Sequence, residues 1–201
     1  KSTIGGNTSC VEVICNTNEI FIFDAGSGIR LLGKKLAKNN NPIHIFLTHF
    51  HWDHIQGLPF FDPIYMKDRE IHFYTFSEDC NLFLKKQMDS PFFPVPIENC
   101  SKNLHYHYIK ELEPIKIGKV EIIAKSMNHP GGCYAYSLRE GSKRFVYSSD
   151  VEINYNDFSE ELCKDSFYYN ADALVFDAQY TLDEAAIKQN WGHTPFCFAV
   201  D

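Results

Sequence analysis

Residues 48–58 read THFHWDHIQGL, and four of the first seven, His49, His51, Asp53 and His54, are metal-ligand types at the end of an apolar run. Histidines two apart in extended backbone point to the same side, so His49 and His51 can share one ion. Asp53 and His54 come from the turn that follows, where they can face a second ion nearby. Neutral imidazoles with carboxylates suit zinc, and also manganese or iron. One short segment cannot surround two ions, so the other ligands must lie at other strand ends. His129, in SMNHPGG (126–132), follows the strand-like VEIIA and precedes Pro-Gly-Gly, where backbone can approach a ligand closely. Asp150 closes RFVYSSD. A carboxylate has an oxygen for each of two ions, which makes Asp150 a natural bridge.

The elements that must position these residues alternate between strand and helix patterns. CVEVIC (10–15) and EIFIFDA (19–25) flank the polar turn 16–18 and predict a hairpin. Gly26 and Gly28 end that pattern, and Ile29, Leu32 and Leu36 recur at helical spacing as far as Asn39. IHIFL (43–47) is a continuous apolar run, as expected of a buried strand, and the ligand-rich stretch follows it directly. Further strands are predicted at 71–76, 104–109, 120–124, 134–138, 144–149 and 173–179, with helices at 78–88 and 157–169. PFFPVP (91–96) holds three prolines and predicts a loop carrying Phe92 and Phe93. TPFCFAVD predicts a helix start, with Thr194 as N-cap and Pro195 at the first position.

A chain of 201 residues is most simply one domain, 1–201, long enough to bury a real core. Hydrophobic content of 44% and charged content of 22% are ordinary for a globular protein. No run of about 18 apolar residues is present, so no transmembrane segment is expected. The seven cysteines are odd in number, scattered, and without a C-x-x-C pair, which points to a reducing, cytoplasmic setting rather than a disulfide framework. Cys133 stands out for its closeness to His129. The opening KSTIGGNTSC has no initiator Met and the closing FCFAVD is abrupt, so elements are expected to be missing at both ends. Net charge is −7, with no basic stripe of the kind that grips a long polyanion.

With these residues in view, the chain resembles the metallo-β-lactamase superfamily. THFHWDH is similar to its T/S-H-x-H-x-D-H signature, FDAG (23–26) to its aspartate-glycine turn, and SSD (148–150) to its bridging-aspartate strand. The resemblance implies an α+β fold, a four-layer αββα sandwich with a two-metal cleft along one edge. It implies that His49, His51 and His129 hold one ion and that Asp53 and His54 hold the other, with Asp150 bridging. Family members supply a late histidine to the second ion, and that seventh ligand is expected beyond Asp201. Asp24 and Asp177 are expected to orient ligands rather than bind metal. His51 stands where the redox flavo-diiron members carry Glu, which favours hydrolysis, and the Asp53-His54 pair differs from the lactamases proper. VFDAQYT (175–181) followed by WGHT (191–194) resembles the phosphodiesterase branch, including the tRNA 3′-processing nucleases of RNase Z type. Carried over, His193 would protonate the leaving oxygen; the plain alternative is a helix-capping or buried polar residue. Tyr180 either lines the cleft or packs.

The expected function is that of a dinuclear metal-dependent hydrolase, with Asp53 and His193 as catalytic candidates. Two divalent ions, Zn²⁺ first and Mn²⁺ or Fe²⁺ next, would activate a hydroxide to attack phosphorus in a small phosphodiester such as a cyclic nucleotide. The absence of a basic footprint favours that small substrate over nucleic acid. RNase Z-type RNA processing, hydrolysis of a carboxylic ester, lactone or thioester, and a metal-binding sensor are the alternatives. No membrane partner is expected, and a homodimer is allowed.

Overall fold

The computed structural model describes residues 5–153 and 167–199. The chain divides into two compact units, Lys1–Ile109 and Lys110–Asp201. No helix among the described residues is long and apolar enough to cross a membrane.

The first unit holds a five-stranded mixed sheet in the order β1-β2-β3-β4-β5. Its strands are β1 (Val11–Val13), β2 (Ile20–Phe23), β3 (Ile43–Phe46), β4 (Ile71–Thr75) and β5 (Leu104–Tyr108). β1 and β2 form the expected antiparallel hairpin, and the remaining pairs are parallel. Strands alternate their faces, so Ile20 and Ile22, Ile43 and Ile45, and Ile71 and Phe73 share one side. Helix α1 (Ile29–Leu36) covers that side with Ile29 and Leu36, and α3 (Cys80–Gln87) with Cys80 and Leu84; together they form one apolar core. The Ile-Leu-Leu spacing of the sequence is this buried stripe. Between β3 and β4 lie the four-residue helix α2 (Trp52–Ile55) and 3-10 turns at Leu58–Phe60 and Asp62–Tyr65.

The opposite face of the sheet carries aromatic and imidazole rings in two rows, each with one ring from each of β2 to β5. Parallel register aligns Phe21, His44, His72 and His105 in one row and Phe23, Phe46, Tyr74 and His107 in the other. Successive rings stack: His44 on His72 at 4.8 Å, His72 on His105 at 4.7 Å, Phe46 on Tyr74 at 4.5 Å and Tyr74 on His107 at 4.5 Å. These spacings match the separation of neighbouring strands, about 4.8 Å. Burial, and then the neighbouring imidazoles, hold His107 below the ordinary histidine range.

The second unit holds a five-stranded sheet in the order β10-β9-β8-β7-β6. Its strands are β6 (Ile115–Ile117), β7 (Val120–Met127), β8 (Cys133–Glu140), β9 (Lys143–Ser148) and β10 (Ala173–Phe176). β6 to β9 run antiparallel to one another, and β10 joins β9 in parallel. Helix α4 (Leu182–Ile187) opens with a capping box, in which the Thr181 side chain and the Glu184 backbone, and the Glu184 side chain and the Thr181 backbone, satisfy each other.

One sequence expectation changes, one open alternative is decided, and one expected helix lies mostly outside the described residues. Of the helix predicted at 157–169, residues 157–166 lie outside the described residues, and 167–169 are turn. Thr194 is not an N-cap. It is buried, its hydroxyl donates to the Val151 carbonyl and accepts from Ile153 N–H at 3.2 Å, and the short 3-10 helix that follows spans Phe196–Ala199. Tyr180 packs rather than opening to solvent, since it is 4% exposed and bridges in parallel to Pro195.

Candidate metal centre

In the first unit the ligand stretch leaves the end of β3 in extended backbone and turns into α2 at His51 (φ −62°, ψ 149°). His49 and His54 are buried, while His51 and Asp53 are exposed. The His49 ring lies 4.4 Å from that of His51 and 4.2 Å from that of His54, centroid to centroid. Asp53 Oδ2 stands 3.4 Å from His54 Nε2. Phe50, between the ligands, packs on the core and on Phe83, whereas Trp52 is largely exposed.

Asp24 organises this group from the end of β2. It is fully buried at φ +59°, a left-handed conformation that an aspartate tolerates better than most residues. Its carboxylate accepts from Thr48 N–H at 2.8 Å, from the Thr48 hydroxyl at 2.9–3.0 Å, and from His54 Nδ1 at 2.7 Å. The Thr48 hydroxyl has one proton, and a carboxylate takes it. Its contact with His49 Nδ1, at 3.0 Å, is therefore one it accepts. Both imidazoles accordingly carry their proton on Nδ1 and present Nε2. Gly26, two residues beyond Asp24, allows the close approach, because a Cβ there would fall 2.3 Å from the Asp53 carbonyl oxygen. An open cavity of about 580 Å³, lined by Asn7, Thr8, Ser9, Cys10 and Gly28, reaches Asp53.

In the second unit His129 lies between β7 and β8, Asp150 just after β9, and Asp177 just after β10. His129 Nδ1 donates to the Gly192 carbonyl at 2.8 Å and His193 Nδ1 to Asp177 Oδ2 at 2.8 Å. Their Nε2 atoms then stand 3.8 and 4.0 Å from one oxygen, Asp150 Oδ2. Those gaps exceed a hydrogen bond. The gap at His129 suits an ion bound at roughly 2.0–2.2 Å to each atom. Gly192 has φ +88°, and a Cβ on it would fall 2.2 Å from His129 Nδ1. Glu152 fixes the same segment by accepting from Asn190 N–H at 3.0 Å and Gly192 N–H at 2.9 Å.

Four histidines, two in each unit, are thus held by the same device, with Nδ1 bonded outward and Nε2 presented. A carboxylate, hydroxyl or carbonyl behind the imidazole is the support that metal-binding histidines ordinarily have. The donor set, the neutral Nε2 atoms of His49, His54 and His129 with Asp53 and Asp150, fits divalent ions of the zinc type. Sequence reasoning singled out His49, His51, Asp53, His54, His129 and Asp150 as ligand candidates and Asp24 and Asp177 as orienting aspartates, and it read His193 as a proton donor rather than a ligand. It missed Thr48, Glu152 and Gly192, although Thr48 stands inside the ligand stretch and Gly192 immediately precedes His193.

The two sheets with their helices are those of the metallo-β-lactamase class. The chain matches the description "Beta-lactamase superfamily domain" over residues 20–200, and it belongs to the metallo-β-lactamase superfamily. It is similar to Ribonuclease Z of Thermococcus kodakarensis, 30% identical over 134 residues, which is 63% of this chain and 39% of that protein. The chain therefore spans about two fifths of the length of that curated relative. Among solved structures it resembles the metallo-beta-lactamase fold protein YhfI of Bacillus subtilis at TM-score 0.68 and 19% identity, covering 94% of this chain and 70% of that one. It also resembles unliganded yeast PDE1 at TM-score 0.69 and 15% identity, covering 96% and 76%. These likenesses establish the α+β metallo-β-lactamase fold.

Proposed function

We propose that the chain is a dinuclear metal-dependent hydrolase of phosphodiesters, with 1–201 acting as one functional domain. His49, His51 and His129 would hold one ion, and Asp53 and His54 the other, with Asp150 as the bridge. Zinc fits this donor set first, then manganese or iron. When bound, the ions supply an activated water and stabilise charge on the attacking and leaving oxygens.

The observation that carries the phosphodiester reading is the pair formed by His193 and Asp177. Asp177 accepts the Nδ1 proton and orients the ring, so a protonated His193 holds its second proton at Nε2, on the Asp150 side. A leaving alkoxide needs such a proton, and a positioned general acid contributes roughly 10²–10⁴-fold. Asp24 and Thr48 keep His54 and His49 in one tautomer, and the cavity beside Asp53 offers room for substrate. The net charge of −7 favours a small phosphodiester such as a cyclic nucleotide. A second reading, RNA 3′ processing, is favoured by the relatives named Ribonuclease Z.

The test compares leaving groups. In His193→Ala, turnover of a cyclic nucleotide should fall by about 10²–10⁴-fold. Bis-p-nitrophenyl phosphate should be affected far less, because nitrophenolate leaves without a proton. Equal losses on both substrates would remove His193 from the acid role. Turnover by the wild type of a carboxylic ester, lactone or thioester alone would overturn the phosphodiester assignment.

A further inference from the structure

Outside the centre described above, the imidazole row of the first sheet ends in a second group of ligand atoms. Glu70 precedes β4 by one residue, His72 lies on β4, and His105 is the register partner of His72 on β5. One ligand atom from each of the three lies within 4.8 Å of the others. Residues two apart on a strand share a face, which puts Glu70 beside His72. Glu70 Oε1 is 2.9 Å from His72 Nε2. Glu70 and His105 are exposed and His72 is half-buried, so the group is open to an ion from solvent. Behind it, His72 Nδ1 meets His107 Nε2 at 2.9 Å.

We propose that Glu70, His72 and His105 form a further transition-metal site, with His107 supporting it from behind. Two imidazoles and a carboxylate prefer Zn²⁺, Ni²⁺ or Cu²⁺ to Mg²⁺ or Ca²⁺. Without metal, the contacts of a neutral His72 are satisfied when its Nε2–H donates to Glu70 and His107 Nε2–H donates to its Nδ1. With metal, His72 takes the Nδ1–H tautomer and presents the Nε2 lone pair to the ion. His107 becomes the acceptor by moving its own proton to Nδ1. The number of protons on the two rings does not change. The His72 and His105 rings are stacked with planes 21° apart, and a ligand nitrogen of His105 already lies within 4.8 Å of ligand atoms of Glu70 and His72. Such an ion would tie β5, at the end of the sheet order, to β4.

The experiment is a Zn²⁺ titration of chelator-treated full chain by calorimetry, for the wild type, His105→Ala, Glu70→Gln and His107→Ala. The wild type should bind one ion more than either His105→Ala or Glu70→Gln, with cyclic-nucleotide and bis-p-nitrophenyl phosphate turnover equal in all three. His107→Ala should keep the stoichiometry and lose affinity at this site by about 10–100-fold. Equal stoichiometry and affinity in wild type, His105→Ala and Glu70→Gln would overturn the site. Thermal melts in chelator establish that each variant is folded, and Glu70→Gln, nearly isosteric and exposed, decides the matter if His105→Ala is not.

Discussion

Thr48 shows how much a single hydroxyl can do at the candidate metal centre. Its one proton goes to Asp24, and its lone pair then dictates the tautomer of His49. Thr48→Val keeps the shape and removes both contacts, so zinc affinity should fall by about 10–100-fold, while Thr48→Ser should stay near wild type. Competition titration against a chromogenic chelator would read the difference, and an unchanged affinity in Thr48→Val would refute this role for the hydroxyl. The ligand types were legible because histidine and aspartate at that spacing have few other uses. Thr48 was not, because a threonine at a strand end has many. His44 was also opaque: inside IHIFL it reads as part of an apolar run, yet it bonds Glu19 and Tyr74 at 2.7 and 3.0 Å.

Among the elements, the segment between α4 and the final 3-10 helix is shaped to meet the His129 loop. Gly192 combines positive φ with a Cβ position already taken by His129 and Pro130. Gly192→Ala should therefore cost at least about 1–3 kcal/mol from backbone conformation alone. It should also weaken zinc binding through displacement of His129. A melting temperature and zinc affinity equal to wild type would contradict this account. The hairpin of β1 and β2, the helix α1 and the strands β3 to β5 and β7 to β10 were readable from period and turn residues. β6 was not, being three half-exposed residues, Ile-Lys-Ile. α4 carried its capping signature, Thr181-x-x-Glu184, in plain view, but it buries none of its residues and so gave no apolar period to go with it. Parallel strand order escapes the sequence for a different reason: its partners are far apart in the chain, and no local pattern encodes the pairing.

At the scale of the whole molecule, the net charge of −7 bears on which phosphodiester the proposed activity would take. Dialysis against a chelator should abolish turnover, and zinc or manganese should restore it; activity surviving in metal-free protein would refute metal dependence. Raising salt from about 50 to about 200 mM should leave cyclic-nucleotide turnover nearly unchanged, whereas a steep fall in cleavage of a tRNA precursor would mark phosphate contacts and favour the RNA reading. The two rows of rings on the first sheet have a consequence for how that unit assembles. Side chains alternate along each strand, so sliding one strand by a single residue exchanges its two faces. In β3 that slip would push His44 in among the isoleucines under α1 and α3, and would turn Ile43 and Ile45 out of that core. An imidazole buried there without partners costs about 1–3 kcal/mol before any lost packing is counted. β4 faces the same penalty through His72. The histidines would thus disfavour misaligned strands during folding, whether or not they ever touch a metal.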